Sequence, residues 1–411
     1  MFLVFIRDRR VTPGLILIAQ LLLPTIGFYI LQLENGEVRN GWLVIWAPVV
    51  VAAGILVGPR RNPEIGSTVA EPRFARFLVH SFWILSILAV LHFAIGGIPV
   101  FSSSVETDRF NLGGSGLGGF PSRAVLYAIP ALALLSLSTV NVDTKKQTIA
   151  IWTVYILTQL GLGFKGAVLE IIVLAAIGYL VRVARPRIRH MAVFALSLLG
   201  ALTYVQVVRS LYATTSAGGA DGLQYILERS TTQAIESGYL ALWYSPDFSG
   251  GMSAFWHDTQ ILLARYLGTS NYSDYTFDML MSSIVTGTPL GVGMFIVPVT
   301  VGGTIYLLFT FGTPLAMAAL AAIGWAWAWA VASLRRRPSI LRGTLAAVAI
   351  IGLRVFLLNG NGAYLAINLS FALLLLWICA LPSWYSKRNL RTDTLANRHV
   401  SKDTSTGRAV V

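Results

Sequence analysis

Apolar residues in this chain form long runs separated by short polar segments, with little alternation inside a run. The runs fall at about 12–33, 42–58, 77–95, 124–140, 149–163, 166–182, 191–208, 313–334, 343–359 and 364–382. Each is about long enough to cross a hydrocarbon core as a helix. The pattern predicts an all-α polytopic membrane protein of about ten transmembrane helices with one large external loop. Residues 1–208 form a seven-helix membrane part, 209–312 the loop, 313–383 a three-helix membrane part, and 384–411 a disordered, basic cytoplasmic tail. Within the loop, 221–244 and 251–268 carry apolar residues at helical spacing and predict two surface helices. The stretch 289–309 is apolar but rich in Gly and β-branched residues and holds two prolines, a poor pattern for an ordinary helix. It is expected as an extended or re-entrant segment buried against protein at the outer face, with a conventional eleventh span as the alternative.

Composition agrees with the pattern. The chain is 55% hydrophobic and only 12% charged, about half the charged share of a soluble domain. The net charge of +13 does not point to nucleic acid, because the basic residues sit in short clusters between apolar runs. Those clusters orient the chain. With the N-terminus inside, Arg7, Arg9 and Arg10, Arg60 to Arg76, Lys145 and Lys146, Arg182 to Arg189, Arg335 to Arg342 and the tail place 23 of the 31 Lys and Arg on the cytoplasmic side. Basic residues are retained there, so both termini are expected inside. "RDRR" at 7–10 precedes a full-length run with no cleavage pattern, so the first helix reads as an uncleaved anchor. The single cysteine, Cys379, lies in an apolar run and reads as a small buried hydrophobe.

The candidate chemistry is cationic and external: Arg109, Arg123, Lys165, Arg209, Arg229, Arg265 and, near the outer end of the ninth run, Arg354. Charges inside a span are expensive and face a protein interior or a wet cavity, which makes Arg354 and Glu170 the sharpest pointers. Lys165 can snorkel outward. Glu170 needs a cavity or a basic partner such as Arg354. Arginines gathered at one outer cavity would suit an anion such as pyrophosphate, which they grip bidentately. Glu106, Asp108, Glu236, Asp258 and Asp274 are candidate bases for a hydroxyl nucleophile, as is His257, the only histidine of the large loop. Aromatic residues are dense in that loop and suit either sugar faces or the membrane interface. "GGSGLGG" reads as a flexible loop, His80 and His92 as hydrogen-bonded packing residues, and no spacing calls for a metal or cofactor.

Three local features carry a resemblance. "GLGFKG" opens a mid-chain apolar helix. "VQVVRSLY" places Arg209 directly after a span, at the start of the single large loop. "YLLFTFGTPLAMAALAAIG" enters a late span through Phe-Gly. Over roughly 75–380 the layout resembles the bacterial oligosaccharide repeat-unit polymerases, the O-antigen and exopolysaccharide polymerases of the Wzy type. The resemblance implies a membrane glycosyltransferase with a GT-C-like helical fold in the inner membrane, metal-independent and without cofactor. Its substrates would be polyprenyl-pyrophosphate-linked oligosaccharides in the bilayer, with a flippase and a chain-length regulator as possible partners. Arg209, Glu236 and His257 would then be catalytic, while Arg109, Lys165, Arg229, Arg265 and Arg354 would bind pyrophosphate or glycan and Glu170 would be the cavity acid. The alternatives are an O-antigen ligase, a polysaccharide or lipid transporter, and a non-catalytic assembly subunit. "WHDTQ" lacks the His-Asn pattern of the ligases, and no internal repeat of the transporter kind is visible.

Overall fold

The computed structural model describes residues 12–59, 72–101, 119–141, 144–163, 167–183, 196–197, 200, 232–244, 251–267, 280–281, 283, 302–336 and 338–403. All regular structure among them is helical. We label the longer helices α1 (Thr12–Asn35), α2 (Gly41–Val57) and α3 (Pro72–Gly96). α4 runs from Gly119–Arg123 through a π-helical turn, Ala124–Ala128, into Ile129–Ser138. Then follow α5 (Lys145–Gly161), α6 (Ala167–Arg182), α7 (Thr232–Tyr244), α8 (Gly251–Leu267), α9 (Gly303–Arg335), α10 (Ile340–Asn359) and α11 (Gly362–Asp403).

Six of the described helices are long and apolar enough to cross a membrane: Pro13–Asn35, Arg73–Phe101, Phe120–Ser138, Gly303–Arg335, Ile340–Asn359 and Gly362–Ser383. Gly41–Val57 is apolar but shorter. At 1.5 Å per residue the 17 residues of α5 and the 16 of α6 span about 24–26 Å, just short of a hydrocarbon core of about 30 Å. The chain is thus a multi-pass helical membrane protein. Of the expected seventh span, 191–208, only 196–197 and 200 are described.

The bundle is built on close helix contacts. α2 and α9 run parallel and touch backbone to backbone. A Cβ on Gly54 would stand 2.1 Å from the carbonyl oxygen of Ala321, and one on Gly324 would stand 2.1 Å from that of Val51. Only glycine lets the two backbones approach so far. Hydrogen bonds tie other pairs: Trp152 Nε1 of α5 donates to the Ala133 carbonyl of α4 at 3.0 Å, and Trp377 Nε1 of α11 to Thr344 Oγ1 of α10 at 3.0 Å. Cys379 is buried and free, as its apolar setting predicts.

Three features differ from the sequence expectation. Residues 303–309, expected as part of an extended or re-entrant segment, are helical and fully buried; 289–301 lies outside the described residues. This stretch ends at Gly312, whose φ 70° and ψ 171° break α9. That conformation is essentially confined to glycine, and Pro314 follows as the new helix begins. The second difference is the tail. α11 continues to Asp403 where disorder was expected. A helix already nucleated propagates one residue at a time, and no Gly or Pro interrupts 383–406. The third concerns His92, read as a hydrogen-bonded packing residue. It is buried, and its Nε2 has no hydrogen-bond partner among the described residues. His80 does follow its reading, with Nδ1 2.8 Å from the Arg76 carbonyl.

Candidate functional site

Three helices far apart in sequence bring one ion pair and one amide together. Arg354 on α10 forms an ion pair through Nη2 with Glu170 Oε2 on α6. Its Nε donates to Gln20 Oε1 on α1 at 3.0 Å. The guanidinium is 3% exposed, the carboxylate 43%. Tyr155 of α5 is buried.

Local sequence explains each position. Glu170 lies in the first turn of α6, where the unpaired backbone N–H groups of a helix start favour negative charge. Arg354 is five residues before the end of α10, which closes with Gly360 in the left-handed region and the Gly360 N–H donating to the Phe356 carbonyl at 2.8 Å. Gln20 is the polar residue of an otherwise apolar stretch of α1. Pro24, four residues on, has no N–H to offer the Gln20 carbonyl, so the helix ladder is interrupted beside the site.

The site lies near the end of the bundle where α6 begins and α10 finishes. Gln20 stands 15 residues before Asn35, or about 22 Å by helical rise, so the C-terminal turns of α1 reach past the ends of α6 and α10. There α7 packs against α1. Tyr239 Oη donates to the Gly36 carbonyl at 2.8 Å, and its ring meets Phe28 edge-on at 5.8 Å. At the same end α8 packs on α11, with Leu262 against Ala363 and Ile367.

The opposite end of the bundle is basic. Lys145 and Lys146 open α5, Arg182 closes α6, and Arg335 and Arg336 follow on α9. Arg335 is buried and donates from Nε to the Val181 carbonyl and from Nη2 to the Leu180 carbonyl, both at 3.2 Å. It thereby satisfies last-turn oxygens of α6 that have no intrahelical donor.

Of the predicted site residues, Glu170 and Arg354 meet. Glu236 is exposed on α7 and His257 is exposed on α8. Their helices pack on different partners, α7 on α1 and α8 on α9 and α11. Asp258, beside His257, is 2% exposed. Arg123 is buried at the start of the π-helical turn, with its guanidinium carbon 5.0 Å from the centre of the Phe371 ring. Arg109, Lys165, Arg209 and Arg229 lie outside the described residues, as do Glu106, Asp108 and Asp274. Arg265 is within α8, but its side chain is outside them. Sequence reasoning missed Gln20. The signal available was a lone amide in an apolar run, four residues before a proline.

Compared with protein-family models, with curated proteins and with solved structures, the chain matches none.

Proposed function

We propose that this protein is a membrane glycosyltransferase that polymerises polyprenyl-pyrophosphate-linked oligosaccharide repeat units at the outer face of the cytoplasmic membrane. The chain would cross the membrane ten times in a GT-C-like arrangement, with both termini and the 335–337 cluster inside. The growing glycan would leave its lipid pyrophosphate for the terminal sugar of a new lipid-linked unit. Arg354, buried and held by Glu170 and Gln20, is the observation that carries this reading. A cation kept inside an apolar bundle, at the end where loop helices α7 and α8 pack, suits a lipid-borne anion whose charge develops as the glycosyl bond breaks. By sequence position Lys165 lies two residues before α6 and Arg209 directly after the seventh expected span, and both are proposed as further cations for the same anion. Glu236 and His257, both on exposed helix faces, remain the candidate bases.

The test is genetic. Cells lacking the gene should carry single repeat units and no long polymer. Arg209→Ala at normal protein level should reproduce that defect, because losing a donor aimed at developing charge costs about 100- to 1,000-fold in rate. An unchanged polymer in cells lacking the gene would overturn the polymerase reading. Lipid-linked polymer that accumulates without transfer to its acceptor would move the assignment to a ligase.

A further inference from the structure

The two charges at the site differ in what each could tolerate alone. Arg354 is 3% exposed. A guanidinium so buried cannot be left without an anion, because the desolvation of its charge would go uncompensated. Glu170 is 43% exposed and sits in the first turn of α6. Water and the positive end of the helix would both support its carboxylate if the arginine were taken by another partner. Arg354 therefore always requires an anion, whereas Glu170 does not always require Arg354. Gln20 cannot supply that need, since its amide is a neutral acceptor.

The hydrogen-bond pattern points the same way. Of the five N–H donors of a guanidinium, Nε is given to Gln20 and one on Nη2 is directed at Glu170. Gln20 grips the donor nearest the side-chain stem and so fixes the plane of the fork. Glu170 occupies a terminal nitrogen, where a phosphate oxygen would also bind.

We infer that Glu170 is a resident counter-ion that holds Arg354 until a phosphate-type anion displaces it, while Gln20 keeps the guanidinium in place. This rests on the reading of Arg354 as the anion receptor and adds a competitor and a positioning residue to it. No bond is made or broken in the exchange. One anion leaves the guanidinium as another arrives, and the freed carboxylate turns to water. Site occupancy is then set by the ligand's advantage over an internal carboxylate, which favours dianionic phosphates over monoanions.

Binding to the purified full-length protein in nanodiscs tests this, with farnesyl pyrophosphate as probe, inorganic pyrophosphate as the free-anion arm and farnesol as the uncharged arm. Glu170→Gln removes the competitor and should bind farnesyl pyrophosphate about tenfold or more tighter than the native protein, the size expected for one charged hydrogen bond. Glu170→Asp keeps the charge but shortens its reach, should tighten binding to a smaller degree, and serves if the glutamine variant does not fold. Gln20→Leu should weaken binding, and Arg354→Gln should abolish it. Farnesol should bind every form alike. Equal tightening toward inorganic pyrophosphate would identify the anion alone as the ligand, whereas tightening confined to farnesyl pyrophosphate would identify a lipid headgroup. Unchanged or weaker binding in folded Glu170 variants would overturn the exchange and leave Glu170 a structural partner. Failure of the polymerase reading would appear separately, as normal polymer in cells lacking the gene, and would leave these affinities untouched.

Discussion

Arg335 Nε lies 3.2 Å from the carbonyl oxygen of Val181, across 154 residues of sequence. The contact closes the C-terminal end of α6 with a cation from the C-terminal end of α9. It places the start of the Arg335–Arg337 cluster beside Arg182. Arg335→Met should lower stability by about 1–3 kcal/mol, because one buried and one part-buried carbonyl lose a charged donor. Thermal unfolding in detergent checks this. Arg335→Lys should recover only part, since a single ammonium does not reproduce the fork. An unshifted melting temperature for the methionine variant would show that these carbonyls find other donors.

The same contact makes a statement about topology. Tyr244 on α7 and Pro338 in the α9–α10 connection lie at opposite ends of the bundle. With Cys379 replaced, an impermeant thiol reagent added outside cells should label Tyr244→Cys and spare Pro338→Cys. Labelling of both would refute the proposed arrangement.

The glycine seam between α2 and α9 predicts a sharp intolerance. Gly54→Ala puts a methyl 2.1 Å from the Ala321 carbonyl oxygen. Backbone must shift to make room, at a cost of about 1–3 kcal/mol. The variant should unfold earlier on heating, and Gly54→Val earlier still. Equal melting of all three forms would mean the helices separate freely.

Gly312 offers a contrasting case. Nothing lies within 4 Å of where its Cβ would be, so crowding does not enter. Its φ of 70° with ψ of 171° is itself unfavourable to any other residue, by about 1–3 kcal/mol. Gly312→Ala should therefore destabilise or straighten α9 although it meets no neighbour. A substitution without effect on unfolding would show that the break at Gly312 is not required.

Much of this arrangement could be read from residue order. The run 343–359 anticipates α10, and 166–182 anticipates α6, because apolar length alone sets helices that cross lipid. Glu170 and Arg354 stood out for the same reason: a charge in such a run needs a partner, and each is the other's. Gln20 carries no charge, and its importance arises from a residue 334 positions away. The helical stretch before Gly312 was hidden because β-branched residues and glycines lower helix propensity, which burial among neighbouring helices overrides. The π-helical turn at Ala124–Ala128 has no marker in side-chain periodicity, since one extra residue per turn changes the ladder and leaves the apolar character intact. For α11 beyond Ser383, polarity favoured disorder while the absence of breakers favoured continued helix.

The central claim is that Arg354 serves glycan transfer from a lipid pyrophosphate. Purified protein in liposomes, supplied with lipid-pyrophosphate-linked repeat units and followed by gel separation of the glycans, tests it most directly. The native protein should convert single units into a ladder of lengths. Arg354→Gln, at equal incorporation and with an unchanged fold by circular dichroism, should slow ladder formation by about 100-fold or more. A full ladder from Arg354→Gln, or no ladder from the native protein with its own cells' repeat units, would contradict the account.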